Sequence, residues 1–176
     1  MPNWCNNTIT IEHKDSVKLK EVINSLTTKR IDDSNESLFF TYCKPEPTYE
    51  NKDDWYDWRW NNWGTKWNID ILEEGYDLNV HKDHVWFSCD TAWSPPLEAL
   101  AELEKKGFTI NCEYYECGCA FMGKYCTKDG HQHYDLPETY AEIKNKMDTD
   151  EVFKDLAESW GVDLDYKEME SEGETE

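Results

Sequence analysis

The sequence predicts an α+β protein: an antiparallel sheet with two helices on one face, an aromatic-rich insertion, and an acidic helical extension at the C-terminal end. Three observations predict it. Several short stretches alternate apolar and polar residues, as half-buried strands require, and two others place apolar residues at helical spacing. These stretches follow one another as strand, helix, strand, strand, helix, strand. The chain's 176 residues suffice for one domain with a real core.

The first strand is Trp4 to Glu12, where Cys5, Asn7, Ile9 and Ile11 point one way and Trp4, Asn6, Thr8 and Thr10 the other. Asp15 or Ser16 can cap a helix with Leu19, Val22, Ile23 and Leu26 on a single stripe. Periodicity assigns nothing between Thr27 and Lys66. Ten of the chain's 25 aromatic residues nevertheless lie between Phe39 and Trp67, too much apolar area to stay in water, so this insertion must cover something. Sealing the open face of the sheet is one expectation for it.

Alternation returns between Trp67 and Val80, and His81-Lys82-Asp83 connects it tightly to His84–Thr91, giving a hairpin. Ser94-Pro95-Pro96 opens a second helix, with Leu97, Leu100, Ala101 and Leu103 inward and Gly107 at its end. Phe108, Ile110, Cys112 and Tyr114 form one face of the next strand. This order is that of a ferredoxin-like βαββαβ unit. Ala120–Cys126 can add a strand, and Pro137–Met147 and Asp150–Trp160 read as helices. The chain accordingly divides into a ferredoxin-like domain at 1–130 with its insertion at 27–66, a helical extension at 131–166 and a disordered acidic tail at 167–176.

Eighteen basic against 38 acidic residues give a formal charge of −20, which repels phosphate backbones and anionic membranes and disfavours direct nucleic-acid binding. Half of that charge falls in residues 148–176. No long apolar run and no export signal is present, so the expected location is the cytoplasm. Seven cysteines in a reducing compartment are expected to be thiols.

Four stretches, MPNWCNNTITI, YDWRWNNWGTKWN, FSCDTAWSPP and YYECGCAFMGKY, resemble the YubB-like family of ferredoxin-fold proteins carried by phages and plasmids. They lie in order across residues 2–126. The resemblance implies the same fold and a mobile-element origin, and it implies no particular chemistry. Cys117 and Cys119 depart from the family's pattern, and the chain after residue 130 lies beyond the resemblance.

Three constellations are candidates for function. Asn3, Trp4, Asn6, Trp63, Thr65, Lys66, Trp67, Asp90, Trp93, Glu113 and Glu116 are expected near one end of the sheet, as polar groups between tryptophan walls. In an enzyme, Asp90, Glu113 and Glu116 would supply acid and base, and Lys66 would stabilise an anion. No phosphate-cradling loop or nucleophile elbow accompanies them. Cys112, Cys117, Cys119, Cys126, His131 and His133 could supply metal ligands, but no Cys-x-x-Cys pair occurs and the expectation is no metal and no cofactor. Asp150, Glu151, Asp155 and Glu158 offer ordered carboxylates on a helix. The expected function is thus a non-catalytic mobile-element protein that binds a host protein, one with a basic or DNA-binding surface. The alternative is an enzyme or small-ligand binder working in the cleft near Trp63–Trp67 and Asp90.

Overall fold

The computed structural model of the protein describes residues 3–30, 36–71 and 76–173. Strand β1 (Trp4–Glu12) is followed by helix α1 (Ser16–Thr27), which begins where the Asp15 carboxylate accepts the Val17 N–H at 2.8 Å. The insertion then forms α2 (Phe39–Cys43) and α3 (Asp54–Trp63). The hairpin is β2 (Leu78–Val80) and β3 (His84–Ala92), followed by α4 (Leu97–Lys105) and β4 (Thr109–Glu116). Two strands, β5 (Phe121–Cys126) and β6 (Gly130–Asp135), and three helices, α5 (Tyr140–Thr149), α6 (Glu151–Trp160) and α7 (Val162–Gly173), complete the chain.

The six strands pair in the order β2-β3-β1-β4-β5-β6, antiparallel throughout. The first four strands of that order make the ferredoxin-like arrangement, with β1 at the centre between β3 and β4. Alternation sorts side chains between two faces. Cys5, Ile9, Ile11, Val85, Phe87, Cys89, Ile110, Cys112 and Tyr114 are buried under α1, α4 and the insertion in the larger core. On the other face, Tyr115 and Met122 are buried with Ile143, Met147, Phe153, Leu156, Ala157 and Val162 in a second core beneath α5, α6 and α7.

Several elements differ from what the sequence suggests. The insertion covers the face that α1 and α4 share, not the open one: Phe39 meets Phe87 edge-on at 5.5 Å, and Phe40 meets Trp63 at 5.6 Å. The hairpin's first strand is only three residues long, and the expected strand positions at 72–75 lie outside the described residues. The sheet runs on through β6, which pairs with β5 from Gly130 to Asp135. Helix α5 begins after Thr139 rather than at Pro137, because Thr139 and Glu142 close a reciprocal capping box. Helix is also present where a disordered tail was expected from 167. It restarts after the left-handed Gly161 and is anchored by buried Val162 and by Asp163, whose carboxylate lies 3.5 Å from Lys144 Nζ. Residues 174–176 lie outside the described part.

Candidate binding cleft

The residues expected to form one tryptophan-walled site are distributed over both faces of the sheet. Trp63 is fully buried, its ring edge-on to Trp58 at 5.6 Å and its Nε1–H donated to the Lys44 carbonyl at 3.0 Å. It is a core residue because α3 ends on the helix face, where the left-handed Gly64 closes it. Thr65 is buried and donates to the Ala92 carbonyl at 3.0 Å. Lys66 lies over the Trp67 ring at 4.4 Å, and Trp67 in turn stacks obliquely on Trp4 at 5.9 Å. Asn6 and Asp90 stand opposite each other on β1 and β3. Asp90 accepts from Asn6 Nδ2 at 2.6 Å and from the Tyr76 hydroxyl at 3.0 Å. These two line a shallow hollow of about 340 Å³ with Thr8, Ser88 and Trp160, away from Trp63.

The proposed acid–base groups do not converge either. Glu113 and Glu116 are three residues apart on a strand and so face opposite sides. Glu113 pairs with Lys124 at 3.6 Å. Glu116 is buried and clamps the turn into β5, accepting the Gly118 and Cys119 N–H groups at 2.7 and 2.6 Å. Asn3 reaches the same turn, with Nδ2 3.4 Å from Cys119 Sγ, and its carbonyl accepts the Trp93 N–H at 2.9 Å. The four cysteines among the six possible metal ligands are likewise separated. Cys112 is buried in the core with its thiol pKa pushed up by desolvation, Cys126 stands opposite Asn111 on the other face, and Cys117 and Cys119 lie in the turn. No group of three metal-ligating side chains occurs among the described residues.

The structure instead brings together residues that sequence reasoning did not combine. A cleft of about 390 Å³ opens between the end of α3, the start of α4 and strands β4 to β6. Its walls are Trp60, Trp93, Leu97 and Phe121, its rim carries Glu98, and Tyr114, His131 and His133 form its floor. Alternation on β6 puts both histidines on the side of Tyr114, and β5 offers only Gly123 between them. A Cβ at Gly123 would collide with the Tyr114 hydroxyl. That hydroxyl lies 2.7 Å from His131 Nε2 and 3.0 Å from His133 Nδ1.

One set of tautomers satisfies the network. With its proton on Nε2, which faces Asp135 at 3.4 Å, His133 leaves Nδ1 to accept the Tyr114 O–H. The Tyr114 oxygen then accepts the Nε2–H of His131. Burial pushes the Tyr114 phenol pKa up, and burial together with the neighbouring His133 holds His131 below the usual histidine value, against the opposing influence of Glu98.

A larger hollow of about 690 Å³ lies beside Thr28–Arg30, Tyr49, Trp55 and Arg59. Its charges are already engaged: Glu46 accepts from Arg59 at 2.7 and 3.0 Å, from Arg30 at 3.1 Å and from the Tyr49 hydroxyl at 2.8 Å. Burial alone would raise the Glu46 pKa, but these donors outweigh it and hold the carboxyl below its ordinary value.

On the C-terminal layer, Glu151, Asp155 and Glu158 are exposed on α6, whereas Phe153, Leu156 and Ala157 are buried. Asp150 has a structural task as well, since it caps α6 by accepting the Phe153 N–H at 3.0 Å. No helix among the described residues is long and apolar enough to cross a membrane.

Residues 62–156, more than half of the chain, match the family described as the ferredoxin-like domain in Api92-like protein, and the chain belongs to that family. The match runs from the end of α3 into α6, so it takes in the whole cleft except Trp60, while β1 lies outside it. No curated protein and no solved structure matches the chain.

Proposed function

We propose that this is a non-catalytic accessory protein of a phage or plasmid, which binds a basic host protein through its acidic C-terminal layer. The mobile-element origin rests on the resemblance of residues 2–126 to the YubB-like family. The observation that supports the binding reading is the docking of α6. Its buried side holds Phe153, Leu156 and Ala157 in the second core, so Glu151, Asp155 and Glu158 project from a fixed surface. Asp148, Asp165 and Glu168 add exposed carboxylates on the neighbouring helices. Ordered like charges steer an oppositely charged partner and lose little entropy on docking, unlike charges on a loose tail. A DNA-binding protein is the most specific partner of this kind, because its surface is already built for a row of anions.

The test compares the wild-type chain with the variant Glu151→Lys/Asp155→Lys/Glu158→Lys in quantitative capture from host lysate, with duplex DNA as competitor. Proteins retained by the wild type should be lost from the variant. They should also elute as ionic strength rises from about 0.1 to 0.5 M, because a surface contact is screened over that range. Displacement by DNA would identify the partner as a DNA-binding protein. Retention of the same proteins by both chains at high salt would defeat the reading.

A further inference from the structure

We propose that the cleft formed by Trp60, Trp93, Phe121 and Glu98 recognises an alkylated ammonium group, with a quaternary ammonium as its best ligand. Four observations converge on this chemistry. The walls carry the rings of Trp60, Trp93 and Phe121, and an ammonium that has lost its N–H donors is held by ring faces and a nearby carboxylate without needing hydrogen-bond acceptors. Glu98 forms no hydrogen bond or ion pair among the described residues, and no Lys or Arg lines the cleft. The floor offers no free hydroxyl, since the Tyr114 oxygen lies 2.7 Å from His131 Nε2 and 3.0 Å from His133 Nδ1. The C-terminal end of α3, with its partial negative charge, borders the cleft at Gly64.

Three of the chain's seven other tryptophans lie under cations of the protein itself. Lys66 lies over Trp67, and Arg59 lies over Trp55 at 5.3 Å and over Trp63 at 4.8 Å. Those rings have cations from the protein itself. Trp60 and Trp93 are 41% and 42% exposed, and no cation from the described residues covers either of them. Trp93 also has a left-handed backbone, φ +75°, which a bulky residue adopts at a cost and which is over-determined here. Its N–H is bonded to Asn3, and the Ser94 hydroxyl is bonded to the Gly64 carbonyl across the cleft. Gly64 itself leaves room for Glu98, since a Cβ at that position would collide with the Glu98 carboxylate.

The experiment titrates the full chain with tetramethylammonium, with a trimethyllysine peptide, with the same peptide unmethylated, and with a neutral tert-butyl isostere of the quaternary group. Tryptophan fluorescence and calorimetry report binding. A quaternary ligand should bind about tenfold more tightly than the neutral isostere. Trp93→Gly and Glu98→Gln should each weaken that binding by about tenfold while the chain keeps the wild-type circular dichroism spectrum. Glycine accepts the left-handed backbone at position 93, and Glu98→Gln keeps the shape of an exposed side chain while removing its charge, so both variants fold. A preference for the trimethyllysine peptide over tetramethylammonium would support a protein-borne ligand, and equal affinity a free one. Equal binding of the neutral isostere, absence of saturable binding of either quaternary ligand, or a folded Trp93→Gly chain that binds like the wild type would overturn the proposal.

Discussion

The aromatic insertion and the C-terminal extension both lie outside the βαββαβ frame, and each covers one face of the same sheet by different means. The insertion adds large rings to an existing core: Phe39, Phe40 and Trp63 are fully buried among residues of α1, β3 and α4. It is also tied down by charge, since Arg30 and Arg59 meet on Glu46. The extension builds a smaller core of its own against β4 and β5 and turns its charges outward, leaving Glu151, Asp155 and Glu158 exposed. A ring-rich segment whose opposite charges nearly balance is consumed by the fold, whereas an amphipathic segment with a large excess of acids stabilises the fold and still presents a surface. The difference explains why the expected tryptophan-lined site at 63–67 is mostly core.

The sharpest test of this comparison is to remove one large side chain from each core. Trp63→Ala should cost about 3–5 kcal/mol, as expected for a fully buried aromatic residue whose site cannot collapse. Phe153→Ala should cost about 3 kcal/mol, at the lower end of that range, because the second core is smaller. Denaturant titration followed by tryptophan fluorescence and by circular dichroism would measure both. Two separated transitions for Phe153→Ala would show that the extension unfolds before the sheet. A Trp63→Ala chain as stable as the wild type would break the view of the insertion as core.

A smaller loss is expected at the ion network. Glu46→Gln keeps the shape but removes the charge shared by Arg30, Arg59 and Tyr49, and should cost about 1–3 kcal/mol, toward the lower figure because the network is partly solvated. The sign of its pH dependence is fixed: a carboxyl held below its ordinary value stabilises the fold above that value, and the contribution is lost as pH falls through the folded pKa. The variant should therefore show a flatter loss of stability below about pH 4.5 than the wild type, measured by thermal melts across that range.

These regions also differ in how much the sequence discloses. Strict alternation from Cys5 to Ile11 and the stripe Leu19, Val22, Leu26 give β1 and α1 within a residue or two, because one face of each is apolar and the other polar. Helix α3, read as DWYDWRWNNW, has rings around most of its circumference, so no single stripe marks it. Strand β6, GHQHYD, is mostly exposed and has no apolar alternation to find. The cleft was hidden for the same reason. Its walls come from α3 and the corner at Trp93, and its floor from β6, which periodicity does not assign. The spacing His131-x-His133 was the available signal, since residues two apart on a strand share a face. The acidic surface was legible, because the spacing of Glu151, Asp155 and Glu158 puts all three on the side of α6 opposite Phe153.

His131 gives a test of the cleft itself that is independent of any ligand. Partial desolvation of its ring, then the neighbouring His133, depress its pKa, while Glu98 acts in the opposite sense, and Tyr114 and Tyr125 are the other titratable groups that face it. The unfolded chain therefore takes up a proton more readily than the folded one below the ordinary histidine value of 6.5. Stability should fall as pH drops from about 7.5 to 5.5, above the range in which carboxylates titrate, and His131→Gln should flatten that dependence. The denaturation midpoint at the two pH values measures it. An equally steep dependence in the variant would place the proton uptake elsewhere.

The smallest effect on stability is expected where the partner surface is proposed. Glu151, Asp155 and Glu158 are exposed, and the sole ion pair that the described residues show for the three is Lys154 to Glu158 at 3.9 Å, one helical turn apart. Such a pair contributes about 0.3–0.5 kcal/mol. Glu151 lies in the first turn of α6, where a negative charge is favourable by about 0.3–1 kcal/mol, so reversing it is the most costly of the three. Opposing this, the reversals relieve repulsion within a chain of charge −20. The triple reversal should consequently leave the midpoint within about 1 kcal/mol of the wild type. Asp150 behaves differently, because Asp150→Ala removes the cap of α6 and should cost about 1 kcal/mol. A reversed chain that stays folded but loses its captured partner separates recognition from folding at this surface. A reversed chain that unfolds would mean that α6 is held by its charges as well as by Phe153 and Leu156, and the contrast between a consumed insertion and a presenting extension would fail.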